Sequence, residues 1–283
     1  MPPKKTHPPS LFNFLLESRT VLEFASYFPA LPFLQTLPQG DGHPVMVFPG
    51  FLTSDLSTVP LRHFLKSLGY AVHGWGFGSN TGYRPALNLL MQERILAIHA
   101  EHGKKLSLIG WSLGGVYARE MARELPDHVR QVITMGSPIA RAKDGSNMSW
   151  LYNLINGDRD GVDDAFLEKI MEPPPVPATA IFTRSDGVVT WRSTIEQREG
   201  PITQNVEVMG SHCGLGHNPL ALYVIADRLS QPENGWQRFS CEGWTDLLYQ
   251  TSASERPQPQ ESAWTEHIRA MDQALAALGN TPD

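Results

Sequence analysis

From residue 45 onward, short apolar runs alternate with stretches in which apolar residues recur every three or four positions. This alternation predicts βαβ units and a mostly parallel sheet, because a strand covered by helices on both faces is apolar at nearly every position. Six such runs are the expected strands: Val45–Phe48, Tyr70–Trp75, Leu106–Ile109, Val129–Met135, Ala178–Phe182 and Asn205–Val208. Between them, Leu61, Phe64, Leu65 and Leu68 form one helical stripe that Gly69 stops. Pro85 opens a helix that Gly103 closes, and further helices are expected over 113–125 and 219–229.

Three stretches fall outside this rhythm. Residues 11–37 are unusually apolar, with Phe12, Phe14, Phe24, Tyr27, Phe28 and Phe33 among them. Their spacing predicts a pair of amphipathic helices, broken at Pro29 and Pro32 and packed on the core. The same stretch also suits a surface making peripheral contact with lipid. The second, between Ser137 and Pro177, carries Asp, Gly and Asn clusters and ends in Pro173-Pro174-Pro175. An irregular segment that long inside a domain reads as a lid or small subdomain. The third is the polar tail from Gln231, with a helix expected over 262–278. The expected organisation is thus a helical segment over 1–43, a core over 44–230 with an insertion at about 138–177, and a tail over 231–283.

Composition narrows the classes of function. With 23 Lys and Arg against 29 Asp and Glu, the formal charge is −6, so the basic footprint of a nucleic-acid binder is missing. Two cysteines, Cys213 and Cys241, are too few for a disulfide scaffold or a zinc cage. Glu17 and Arg19 interrupt the N-terminal apolar patch before it reaches the length of a secretory signal, and no run is long enough to span a membrane. The cytoplasm is the default expectation. Neither a His-Glu-x-x-His motif nor a phosphate-binding Walker loop occurs, and no cofactor is expected.

The chemistry concentrates at Gly110-Trp111-Ser112-Leu113-Gly114-Gly115, where an expected strand ends and an expected helix begins. In that context G-x-S-x-G forms a sharp turn that lifts the serine oxygen clear of the sheet. Side chains two residues either side would collide with the turn, which suits Gly110 and Gly114. The N–H of Leu113 leaves the helix N-terminus, where a developing oxyanion is favoured. A serine hydroxyl is a weak nucleophile and needs a base, which in turn needs an acid to orient it.

Asp186 follows the fifth strand closely and precedes Gly187, whereas Asp158, Asp160, Asp163 and Asp164 all fall in the insertion. His212 and His217 both follow the sixth strand. His212, just past the strand, is the better placed base, and His217 beside the next helix suits a capping or surface role. Cys213 reads as a small buried packing residue. For a second oxyanion donor the loop Pro49-Gly50-Phe51-Leu52 offers the N–H of Phe51, since Pro49 has none.

These marks together (VFPGF, GWSLGG, SDGVV and GSHCGL) resemble the α/β-hydrolase superfamily, and within it small bacterial serine esterases and lipases, over Pro44 to about Leu229. The chain departs from that pattern in carrying Pro49 where such lipases usually have His, and in a helical N-terminus where the larger family has two antiparallel strands. The resemblance implies an α/β-hydrolase fold of about six mostly parallel strands with a short lid. It also implies a Ser112–His212–Asp186 triad, with the Phe51 and Leu113 amides as oxyanion hole, acting on small-molecule or lipid-like carboxylic esters. The same acyl-enzyme would serve an acyltransferase or a thioesterase. A non-catalytic binding protein on this scaffold would be marked by a broken triad. An elbow with Ser112 in place of an aspartate argues against dehalogenation.

Overall fold

The six apolar runs become β1 (Pro44–Phe48), β2 (Ala71–Gly74), β3 (Leu106–Trp111), β4 (Val129–Met135), β5 (Ala178–Phe182) and β6 (Thr203–Glu207). They form a parallel sheet in the order β2-β1-β3-β4-β5-β6. Helices cover it: α1 (Leu11–Leu16), α2 (Thr20–Leu34), α3 (Val59–Ser67), α4 (Pro85–His102), α5 (Leu113–Glu124), α6 (Asp164–Met171) and α7 (Pro219–Ser230). The computed structural model describes residues 11–82, 84–140, 164–240, 245, 248 and 249. All belong to the first of two units, Met1–Ser252; the second, Ala253–Asp283, lies outside the described residues, as does the helix expected over 262–278. Residues 141–163 of the expected lid also lie outside them. No helix among the described residues is long and apolar enough to cross a membrane.

Alternation along the strands sorts the core into two layers. Val45, Val47, Ile109, Ile133, Ile181 and Val206 pack with α3, α7 and the buried side of α2. Met46, Phe48, Leu108 and Val132 pack on the other face with α4 and α5. The stripe Leu61, Phe64, Leu65 and Leu68 is fully buried, and the αL conformation of Gly103 ends α4. Strand β3 runs two residues beyond its apolar run, through Gly110 and Trp111, because these still pair with Thr134 and Met135 of β4. In this order β1 and β3 are neighbours whose onward connections leave in opposite directions. The crevice at their carboxyl ends is therefore the natural site in such a sheet.

The N-terminal helices differ from the expectation. Helix α2 runs through Pro29 and Pro32, and the irregularity comes earlier, in a 3-10 turn at Glu17–Arg19. Each proline forfeits one helical hydrogen bond. The carbonyls that lose these partners belong to Ala25 and Phe28, both on exposed residues, where solvent can take the place of a missing donor. Tyr27 and Leu34 anchor the helix in the core, while Val21, Leu22, Phe24, Phe28 and Phe33 remain exposed.

At the amino end of the sheet a second Ser–His–Asp trio occurs. His43 Nδ1 lies 2.5 Å from Asp41 Oδ1, and its Nε2 lies 2.8 Å from Ser107 Oγ. Arg130 donates to the other Asp41 oxygen. His43 and Ser107 are closed to solvent, so this trio is a tie between β1 and β3. Burial holds His43 below its ordinary pKa of 6.5, against the raising influence of Asp41. An unfolded chain takes up this proton as the pH falls through 6.5 whereas the folded one resists it, so stability present above 6.5 is lost below. Urea unfolding at pH 7.5 and 5.5 should show a smaller acid loss of stability in His43→Gln than in the wild type, with lower stability of the variant at both.

Candidate active site

Ser112 stands between β3 and α5 with φ 53° and ψ −124°. Only Leu52 shares a positive φ among the described non-glycine residues. Such a conformation costs about 1–3 kcal/mol and persists only where the surroundings over-determine it. Here they do. The Ser112 N–H donates to Met135 O at 2.8 Å, and the Gly115 N–H donates to Ser112 O at 3.0 Å. A β-carbon at Gly110 would lie 2.3 Å from Gly115 Cα, one at Gly114 would lie 2.4 Å from Phe48 O, and one at Gly115 would lie 2.0 Å from Ser137 Oγ. All three glycines are steric requirements of the turn; Gly115 joins the two that the motif marks.

The loops after β5 and β6 bring Asp186 and His212 together. Asp186 Oδ2 lies 2.6 Å from His212 Nδ1, while its Oδ1 accepts from the N–H groups of Val188 and Val189 at 2.9 and 2.7 Å. Both side chains are buried. Burial pulls the imidazole down, but the Asp186 charge and hydrogen bond, together with the Glu17 charge, outweigh it and leave His212 above 6.5. The ring sits against Gly136, at φ +56°, where a β-carbon would come 3.0 Å from Nδ1. Trp111, beside the serine, donates its indole N–H to His212 O at 3.1 Å. Elbow and base loop are thereby tied, although among the described residues no hydrogen bond joins the Ser112 hydroxyl to the ring.

Phe51 lies on the loop after β1, which borders the serine: a β-carbon at Gly50 would be 3.4 Å from Ser112 Cβ. Buried Asn80 holds this loop, donating its side-chain amide to Pro49 O at 2.9 Å and accepting from the Leu52 N–H at 2.8 Å. Leu113 is the first residue of α5, so its N–H lacks an intrahelical partner.

The competing candidates are placed elsewhere. His217 turns to α2, with Nε2 3.2 Å from Thr20 O and its ring edge-on to Phe24, and burial lowers its pKa. Cys213 is exposed, a correction to its expected packing role, while its N–H is held by Glu17. Desolvation of its sulfur and the nearby Glu17 carboxylate push the thiol up to about 12, which keeps it protonated. Asp158, Asp160 and Asp163 lie outside the described residues, and Asp164 opens α6. No group of three or more His, Cys, Asp and Glu among the described residues is arranged to hold a metal ion.

Glu17, Arg19 and Glu23 were not singled out by the motifs, yet Glu17 and Arg19 reach both the acid and the base loop and Glu23 reaches the base loop. In sequence they resemble the charged positions of an ordinary surface helix. The hint in the loops is their glycines: a β-carbon at Gly187 would strike Asn13 O at 2.3 Å, and one at Gly214 would strike Glu23 Oε2 at 1.6 Å.

No family model matches the chain. A 104-residue stretch is 29% identical to a pimeloyl-[acyl-carrier protein] methyl ester esterase of Aliivibrio salmonicida, covering 35% of this chain and 38% of that protein. Lipase B of Aspergillus fumigatus superposes with a TM-score of 0.52 at 18% identity, over 69% of this chain and 55% of that one. A monoacylglycerol lipase of Paleococcus ferrophilus gives a TM-score of 0.52 at 16% identity, over 69% and 96%. The chain therefore spans little more than a third of the curated relative and just over half of the first lipase. The fold is the α/β-hydrolase fold.

The Asp186–His212 pair makes a direct prediction for NMR titration of the imidazole. His212 should titrate above 6.5 in the wild type and lower in Asp186→Asn, where burial is opposed by the Glu17 charge alone. An unmoved titration would mean that the two side chains are not paired in solution.

Proposed function

We propose that the protein is a serine hydrolase that cleaves carboxylic esters through an acyl-enzyme. The observation that carries this reading is the buried His212–Asp186 pair at 2.6 Å, tied through Trp111 to a serine held at φ 53°. In the proposed reaction Ser112 Oγ attacks the ester carbonyl and its proton passes to His212 Nε2. Asp186 holds Nδ1–H and stabilises the imidazolium. The carbonyl oxygen, now anionic, is received by the N–H groups of Phe51 and Leu113. The C–O bond breaks, and the leaving alkoxide takes the proton from Nε2. Water then attacks the acyl-enzyme, giving its proton to Nε2, and the acid departs as Ser112 recovers its proton. The serine–imidazole hydrogen bond often tightens only with substrate present, which suits the structure described.

Exposed apolar side chains border the three loops: Leu52 at 68%, Met209 at 64% and Val188 at 39% accessible, with Phe14 of α1 beside the Asp186 loop. They favour a substrate with an apolar acyl or alcohol portion, and the outer faces of α1 and α2 would meet such a substrate if it is presented in a lipid surface. The curated relative's name, an esterase of a methyl ester, and the lipases that share the fold support ester cleavage as the reaction class.

Ser112→Ala or His212→Ala should lower hydrolysis of a p-nitrophenyl ester by about 10⁴-fold or more while the protein remains folded. His217→Ala should change it by less than about tenfold. A fluorophosphonate probe should label the wild type and not Ser112→Ala; a folded wild type that takes no label and cleaves no ester of any chain length would overturn the reading.

A further inference from the structure

We infer that Glu17 is a positioning residue that sets the acid loop and the base loop in register with each other. This inference rests on the triad reading given above. The Glu17 carboxylate is buried and accepts three main-chain N–H groups from two separate loops: Gly187 at 2.8 Å and His212 at 3.0 Å on Oε1, and Cys213 at 2.9 Å on Oε2. Those amides flank Asp186 on one side and include His212 itself on the other. One oxygen atom thus bridges the backbones that carry the acid and the base. A shift of either loop by an ångström would break this bridge and change the 2.6 Å contact between the two side chains.

The neighbouring residues reinforce the same two loops. Arg19 donates to Ser185 O and Ser185 Oγ in the acid loop and to Gly210 O before the base loop. Glu23 accepts from the Ser211 N–H at 2.8 Å and the Ser211 hydroxyl at 3.0 Å. The glycines complete the fit, since Gly187 and Gly214 leave no room for a β-carbon beneath α1 and the Glu23 side chain. The support of both loops therefore comes from a segment that precedes the sheet.

Charge gives Glu17 a second effect. Facing His212 are Asp186 from the loop after β5 and Glu17 from the turn before α2. Around them stand Arg19, Glu23 and the Cys213 thiol, with His217 on the far side of the base loop against α2. Glu17 adds to the negative potential that favours the imidazolium. A mere packing role for this residue would not touch the protonation of His212, so the two roles separate in a pH profile.

The test is Glu17→Gln, which keeps the volume, loses the charge and turns one acceptor into a donor facing the Cys213 N–H. Its kcat/KM for a soluble ester should fall roughly 10- to 100-fold, mostly in kcat, and the acidic limb of the pH profile should move to lower pH. Glu17→Asp keeps the charge but draws it back by one methylene; it should lower kcat and leave the limb where the wild type has it. Ser112→Ala, assayed in parallel, keeps activity only if the triad reading itself is wrong. Wild-type kcat/KM in a folded Glu17→Gln overturns the inference, as does reduced activity with an unmoved limb. If Glu17→Gln does not fold, Glu17→Asp decides alone: wild-type kcat overturns the inference and a reduced kcat with unchanged melting temperature upholds it.

Discussion

The site depends on how closely β3, the turn at Ser112 and α5 approach the end of β1. A β-carbon at Gly110 or Gly114 would come within 2.4 Å of backbone atoms of α5 or of Phe48. Backbone atoms cannot swing aside as a side chain can, so any other residue would force strand and helix apart. That separation would loosen the hydrogen bond from Ser112 N–H to Met135 O and release the positive φ at the serine. The strain is stored locally and maintained by the two core layers above and below the sheet. Everything else in the crevice is arranged around an atom whose position is set this way: the loop that Asn80 holds, and the imidazole seated on Gly136.

The two Ser–His–Asp trios show why residue types alone do not make a site. At the amino end of the sheet, Asp41, His43 and Ser107 are joined by contacts of 2.5 and 2.8 Å, and at the carboxyl end Asp186 and His212 meet at 2.6 Å. Their serine lies within a strand in ordinary backbone geometry and is sealed from solvent. Ser112 instead follows the last residue of a strand, abuts the first residue of α5 and borders the loop after β1 at the carboxyl end of the sheet. Direction in a parallel sheet thus distinguishes a structural tie from a candidate centre of reaction.

Much of this was legible in the sequence because it is local. Apolar runs mark the strands, a stripe of four residues marks α3, and the glycines of the elbow declare a turn that only they fit. The continuity of α2 through Pro29 and Pro32 was not legible, because it depends on Tyr27 and Leu34 finding the core and on the freed carbonyls lying on exposed residues. The role of Gly136 was hidden for a similar reason: it is set by the imidazole of His212, which arrives from a loop two strands further along the chain. Glu17 was the least visible. Its partners are 170, 195 and 196 residues away, and nothing in its neighbourhood distinguishes it from a solvated charge.

Those separations have a consequence for the order in which the molecule assembles. The turn that carries Glu17 is synthesised long before the two loops it seats against, and contacts between such distant segments form late because closing a long loop costs entropy before any contact repays it. During synthesis α1 and α2 must wait, with their apolar faces uncovered, while the sheet is laid down strand by strand. The acid and base loops then meet their support in one late step. The turn at Ser112 draws on β3, β4 and α5 alone, whereas the seat of the imidazole is complete only when the earliest-made helices dock against the loops after β5 and β6.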